Sequence, residues 1–195
     1  MFKKLNNIGD NGIVCDFGNE VSQEINAKVI ELFQYIKKDK SLEKQVGILN
    51  CTPSYNKLII NFDLKKTNAA KVFEFLKTIN YSKLNLSKKT TEWTIPICYD
   101  FGLDFDHIVK KLKIDKDEII DIHLKTNFFI YMIGFTPGHP FMGDLNSKLF
   151  LNRLETPRVK VPAGSVGIVE KFCNIYPHES PGGWNIIGRT PTKLF

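Results

Sequence analysis

Residues Thr156 to Ile168 read TPRVKVPAGSVGI, and residues Ile175 to Pro191 read IYPHESPGGWNIIGRTP. Proline fixes φ and removes a backbone donor, whereas glycine opens positive φ. A chain this rich in both is held in set turns. Between the turns lie short apolar, β-branched runs: Val159-Lys160-Val161, Ser165 to Val169, and Trp184 to Ile187. They read as strands joined by tight corners, the pattern of a small β-barrel. The same composition begins at Gly134, where GFTPGHPFMGDL (Gly134 to Leu145) ends the helical periodicity of the preceding chain.

Working back from Gly134, the run Phe128 to Ile133 is apolar and aromatic and reads as a buried strand. Two short helices are expected before it. Asp104 can cap the first, with Phe105, Ile108, Val109 and Leu112 on one face. Asp115 and Glu118 form an Asp-x-x-Glu start for the second, a variant of the capping box. Further upstream, Ile13 to Phe17, Val46 to Cys51, Lys57 to Phe62 and Trp93 to Cys98 read as strands. Ile25, Val29, Leu32, Phe33 and Ile36 recur at helical spacing, as do Ala69, Val72, Phe73, Leu76 and Ile79. The order β-α-β-β-α-β is the split pattern of a ferredoxin-like sandwich. The expected fold is therefore α+β: a ferredoxin-like sandwich over 1–100, a helical linker over 101–126, and a β-barrel over 127–195.

The 195 residues, 43% hydrophobic and 25% charged, suit a folded globular chain rather than a disordered one. The net charge of +6 invites a nucleic-acid reading. From Thr126 onward, however, 7 lysines and arginines face 4 carboxylates, so the excess is divided evenly between the two parts of the chain. The basic pairs Lys37-Lys38, Lys65-Lys66, Lys88-Lys89 and Lys110-Lys111 fall near helix ends or loops, where solvated lysines are expected, and no nucleic-acid partner is expected. No apolar run approaches the ~20 residues of a membrane span, and MFKKLNNIGDNG carries no apolar segment of a signal peptide. Cys15, Cys51, Cys98 and Cys173 form no C-x-x-C pair. Reduced, buried thiols and a cytoplasmic location follow as the expectation. The four histidines are scattered, so no metal site is expected.

Candidate chemistry concentrates after Gly134. Arg158, Lys160 and Arg189 supply positive charge for an anion or oxyanion, and Lys160 reads nearly as well as a surface ion pair. Ser165, Ser180 and Thr190 supply hydroxyls that could contact substrate or cap turns. His139 is a candidate acid/base group, although an exposed loop imidazole is the simpler reading, as it is for His178. Tyr176 and Trp184 could wall a pocket or fill a barrel core. Glu179-Ser180 lacks a histidine–aspartate relay, and no P-loop sequence occurs.

These strings resemble the carboxyltransferase C/D family. The resemblance rests on Gly134-Phe135-x-Pro137-Gly138-x-Pro140 with Gly143, Thr156-Pro157-Arg158, Val161 to Ile168, Ile175-Tyr176-Pro177, Ser180 to Trp184 and Ile187 to Pro191. Gly9-Asp10 and Ile95 to Tyr99 also fit. The family includes the B-type subunits of 5-oxoprolinase, subunit 1 of allophanate hydrolase, and KipI-like inhibitors of a sporulation histidine kinase. It implies that the barrel is cyclophilin-like and that the chain works with a larger partner, the C-type component of 5-oxoprolinase. Together they would act on a lactam or related amide with consumption of ATP. An allophanate hydrolase or biotin-dependent carboxyltransferase part, with biotin carried by another chain, and a kinase-inhibiting module are the alternatives the family leaves open. His139 stands where relatives carry an aromatic residue. Phe172-Cys173-Asn174 replaces their polar Gln-Thr-Gly, a change expected to remove a polar contact. Relatives continue through further barrel strands beyond Phe195.

Overall fold

The computed structural model describes residues 2–38, 46–81 and 90–195; the expected basic pair Lys88-Lys89 lies outside these residues. Contacts divide the chain into two compact units, Met1–Thr90 and Thr91–Phe195.

The first unit opens with a hairpin, β1 (Lys4–Ile8) and β2 (Gly12–Asp16), followed by helix α1 (Gln23–Lys38), strands β3 (Ile48–Pro53) and β4 (Lys57–Phe62), and helix α2 (Ala69–Thr78). The sheet order is β1-β2-β4-β3, with every neighbouring pair antiparallel. Strand β4 alternates strictly: Leu58, Ile60 and Phe62 are buried and the residues between them are partly exposed, as a half-covered sheet requires. Their inward face meets Val29, Leu32 and Ile36 of α1 and Val72 and Leu76 of α2 in one core with Ile13 and Cys15. The Asn26 amide on α1 donates to Ser54 O (3.2 Å) and Tyr55 O (3.0 Å), pinning the helix to the β3–β4 turn. Asn68 caps α2 by accepting from Lys71 N at 3.0 Å.

The expected strand over Trp93 to Cys98 does not form, so the order is β-β-α-β-β-α rather than β-α-β-β-α-β. Pro96 interrupts the run with a residue that cannot donate to a ladder. Ile95 and Ile97 pack instead into the core of the second unit. The edge place beside β2 is taken by β1, whose sequence KLNNI carries little strand signal. Its register is set by the turn that begins at Gly9 (φ 58°) and pairs Ile8 with Gly12.

The second unit holds helices α3 (Phe105–Leu112) and α4 (Lys116–Leu124) and strands β5 (Phe129–Ile133), β6 (Pro140–Gly143), β7 (Arg158–Val161), β8 (Ser165–Val169), β9 (Phe172–Ile175), β10 (Ser180–Gly182) and β11 (Asn185–Arg189). Five strands form an antiparallel sheet in the order β11-β8-β9-β6-β5, and β7 and β10 form a separate two-stranded ribbon. The strands therefore do not close into the expected barrel. On one side, Val166, Ile168, Cys173, Ile175 and Ile187 pack with Phe105, Ile108 and Ile119 of the two helices. Ile186, which alternates with Ile187, joins Val161 and Tyr176 in a smaller cluster. Strand β5 is an edge rather than a buried strand, with Ile130 and Ile133 exposed. Asp115 caps α4 as expected, accepting from Glu118 N at 2.7 Å. Asp104 occupies the N-cap position of α3, but its carboxylate makes no cap bond and is used elsewhere.

Candidate functional site

Arg189 closes strand β11. Its backbone exchanges two hydrogen bonds with Cys98, Cys98 N to Arg189 O at 2.8 Å and Arg189 N to Cys98 O at 3.0 Å. Its Nε donates to Ala163 O at 2.7 Å, which anchors the exposed guanidinium at its root. The terminal nitrogens make no hydrogen bond among the described residues. Arg189 lines a cleft of about 450 Å³ with Cys98, Phe101, Gly164, Pro177, Thr190 and Lys193, among others. The floor is rigid for a local reason. Gly164 has φ 81°, and a Cβ there would lie 2.4 Å from Thr190 O, so only glycine fits. Thr190 N donates to Gly164 O at 2.9 Å, and Thr190 Oγ1 accepts from Thr192 N at 3.1 Å. The cleft thus offers one fixed guanidinium, a lysine and a hydroxyl against an apolar wall of Phe101 and Pro177. That set suits a small carboxylate or another compact anion. Cys98, expected to be buried, is exposed at its rim, while Cys15, Cys51 and Cys173 are buried.

Arg158 is placed differently. Its Nη2 pairs with Asp104 Oδ1, and Asp104 Oδ2 accepts from Ile186 N at 2.6 Å. The Asp104 side chain is 5% exposed and that of Arg158 27%. The pair ties the start of α3 to both the β7–β10 ribbon and strand β11. Nη1 of Arg158 is buried with no hydrogen-bond partner. Arg158 lines a second groove with His107, Lys111 and Arg153, not the Arg189 cleft. Lys160 lines neither of the two and sits in an exposed ion pair with Glu179 at 3.3 Å. The expected convergence of these three cations on one centre is therefore not what the chain builds.

The remaining candidates gather between the ribbon and the sheet. His139, expected on an exposed loop, is 2% exposed. Its ring stacks on Phe141 (centroids 4.6 Å apart, planes 10° apart) and its Nε2 meets Asn174 Nδ2 at 3.0 Å. The amide donates, so Nε2 is the acceptor and the proton resides on Nδ1, toward Thr136 Oγ1 at 3.5 Å. Burial lowers the His139 pKa to about 4, which makes it neutral near pH 7 and a poor proton donor there. Tyr176 is 2% exposed and tilts against His139 with centroids 5.1 Å apart. Burial pushes its phenol up, opposed by contacts of the oxygen with the Asn174 side chain and the Trp184 backbone. A Cβ on Gly182 would lie 2.3 Å from the Tyr176 hydroxyl, so the ribbon closes directly over it. Trp184 meets Phe141 edge-on at 6.0 Å. Ser165 is buried opposite Arg189 on β8, and Ser180 is half-buried opposite Val161 on the ribbon.

Asn174 is the residue whose role the sequence reading missed. It stands in the segment read as having lost polarity, yet it is the hub between His139 and Tyr176. It is 1% exposed, and its Oδ1 lacks a partner. Its signal was weak but real: an asparagine between a cysteine and an isoleucine in a buried strand must find partners. A second buried chain, Tyr99 Oη to His123 Nδ1 at 2.8 Å with Cys173 Sγ 3.7 Å from Nε2, resembles a thiol–imidazole pair. Burial lowers the His123 pKa to about 4 and raises that of the Cys173 thiol, so both stay neutral and no thiolate nucleophile forms. Among the described residues, no group of three or more His, Cys, Asp or Glu side chains is placed to hold a metal ion. No helix among the described residues is long and apolar enough to cross a membrane.

The family model for the carboxyltransferase domain, subdomains C and D, matches residues 3–195. The chain is 30% identical over 207 residues to the B-type subunit of 5-oxoprolinase from Bacillus subtilis (strain 168), covering 98% of this chain and 84% of that protein. Among solved structures, TTHA0988 superposes with a TM-score of 0.84 at 28% identity over 95% of this chain. The chain spans only 36% of that longer protein. The urea amidolyase of K. lactis shares the fold, with a TM-score of 0.77 at 20% identity over 96% of this chain and 13% of its own.

Proposed function

The chain belongs to the carboxyltransferase domain family, subdomains C and D, and we propose that it is the B-type subunit of an ATP-dependent 5-oxoprolinase. In this reading it opens the lactam of 5-oxoproline together with a larger, C-type partner in the cytoplasm. The two units are then a ferredoxin-like sandwich, with its edge strand supplied from the N-terminus, and an open cyclophilin-like barrel. The observation that carries the reading is the identity along the whole chain to a B-type subunit, joined to the small cationic cleft at Arg189. The name of that relative implies further subunits, and the open cleft suits a centre completed by another chain.

The chemistry explains why a fixed cation is needed. A five-membered lactam is a poor electrophile. ATP supplies the driving force when the ring carbonyl oxygen accepts its γ-phosphoryl group and ADP leaves. Water adds to the activated carbon, the C–N bond breaks to give an acyl phosphate, and a second water releases phosphate and glutamate. Negative charge rests on oxygen throughout, and a preset guanidinium stabilises it without reorganising. We assign that role to Arg189, with Thr190 as a hydroxyl contact. Ser165, opposite Arg189, and Tyr176, whose carbonyl accepts from Gly164 N, act as positioning residues; His139 packs on Tyr176 and Trp184 on Phe141, and Arg158 holds the start of α3 to the ribbon through Asp104. Ser180 and Lys160, on the exposed ribbon, are left as substrate contacts made only in the complete enzyme.

The test is reconstitution with the partner subunits and a measurement of glutamate released from 5-oxoproline. ATP-dependent release is the expected result. A well-folded complex without turnover on 5-oxoproline rejects the assignment. Avidin-sensitive carboxyl transfer in its place would move the chain to the biotin-dependent carboxyltransferase alternative.

A further inference from the structure

The second groove is cationic and unassigned. It has a volume of about 810 Å³ and runs between α3 and the irregular segment 150–156. His107 and Lys111 lie four residues apart on α3 and therefore share a face. Both are exposed, as is Arg153 across the groove. Arg158 forms part of the lining, and Glu155 is the one carboxylate among the lining residues. Half-exposed Phe150 (44%) and the side chains of Leu112 and Leu154 supply an apolar wall.

Three features make this a built site rather than a loose patch of surface charge. The segment opposite α3 has no regular structure yet is bonded along its length. Leu151 O accepts from Glu170 N at 2.7 Å, Asn152 O accepts from Asn185 Nδ2 at 3.0 Å, and Leu154 N donates to Gly183 O at 2.8 Å. The Arg153 guanidinium lies against the backbone at Gly183, where even a Cβ would be in contact at 3.5 Å. Arg158 is fixed through Nη2 by Asp104, which leaves Nη1 buried and without a partner.

We propose that the groove formed by His107, Lys111, Arg153 and Arg158 binds a small organic phosphate, with the phosphate on the cations and the organic body on Phe150. Exposed Lys111 and Arg153 on the two facing walls favour a group with several charged oxygens over a single carboxylate, since the Arg153 guanidinium can engage two oxygens while the Lys111 ammonium takes another; Arg158, paired with Asp104, borders the groove. The volume exceeds what one inorganic phosphate fills, and an aromatic ring beside cations suits a planar or apolar substituent. The site is separate from the Arg189 cleft, and its assignment does not depend on the reaction proposed above.

The test is isothermal titration of the isolated full chain with inorganic pyrophosphate and with ATP. The variants are Lys111→Ala, Arg153→Ala and Phe150→Ala, with Lys125→Ala, an exposed cation outside both sites, for comparison. All four side chains are exposed, and melting temperatures confirm folding; Lys111→Gln and Arg153→Gln serve if an alanine variant fails. Both probes are expected to bind, with Lys111→Ala and Arg153→Ala each weakening them at least ten-fold and Lys125→Ala leaving them unchanged. ATP is expected to bind more tightly than pyrophosphate, an advantage that Phe150→Ala removes. Absence of binding, or binding insensitive to Lys111 and Arg153, overturns the site. Equal affinities unaffected by Phe150 overturn the role of the apolar wall. A catalytically silent complex whose isolated chain still binds both probes leaves this site standing while the reaction assignment falls.

Discussion

Arg158 and Arg189 are both arginines within glycine- and proline-rich strings, and nothing in their local sequence separates them. Their surroundings do. Arg189 is anchored through Nε and lines a cleft, whereas Arg158 neutralises a nearly buried carboxylate. Removing Arg158 strands the Asp104 charge beside a backbone amide it already uses. Arg158→Ala is therefore expected to destabilise the second unit by about 3 kcal/mol, the low end of the cost of breaking a buried pair, as read by urea denaturation. A change well under 1 kcal/mol would show that the pair is solvated. The role of Arg158 was hidden because Asp104 lies 54 positions away and reads locally as a helix cap. Asn174 was hidden likewise: a polar residue in a strand declares a need for partners but does not say which ones.

At the scale of elements, what could be read from the sequence followed how much of the signal was local. Strand β4, helix α1 and helix α2 were legible because their apolar residues recur at periods of 2 and 3.6. The α4 cap at Asp115 was legible because the capping motif is contiguous. Asp115→Ala should cost about 1 kcal/mol, measurable as a lower denaturation midpoint with unchanged slope. Strand β1 was not legible, since KLNNI forms an edge through pairing with β2 rather than through its own propensity. The segment 93–98 looked like a strand until Pro96 and the second core claimed it. The ribbon β7–β10 depends on close approach over Tyr176. Gly182→Ala, which places a methyl group 2.3 Å from the Tyr176 oxygen, should destabilise the fold by about 1–3 kcal/mol. An unchanged midpoint would mean the ribbon can lift without penalty.

At the scale of the whole molecule, two buried neutral imidazoles set a pH dependence. His123 and His139 each have a folded pKa near 4, against an ordinary value of 6.5. Above pH 6.5 both states carry neutral rings, and the stability is complete. As the pH falls from 6.5 toward 4, the unfolded chain takes up protons that the folded chain refuses, so stability declines, by roughly 3 kcal/mol per histidine at the limit. His123→Gln with His139→Gln should flatten the curve of unfolding free energy against pH in this window. An unaltered slope would place the proton uptake elsewhere. Family membership was legible in the long glycine–proline strings. The geometry of the centre was not, because it arises from pairings such as Arg189 with Cys98 and with Ala163 that span dozens of residues.

The most direct measurement is kcat/KM for ATP-dependent glutamate release by the reconstituted complex, comparing wild type, Arg189→Lys and Arg189→Ala. Arg189 is exposed and its removal should leave the melting temperature unchanged. At least a hundred-fold loss is expected in Arg189→Ala with partial recovery in Arg189→Lys, consistent with about 3 kcal/mol for one preset donor to a developing oxyanion. Turnover within two-fold of wild type in a folded Arg189→Ala complex would contradict that expectation.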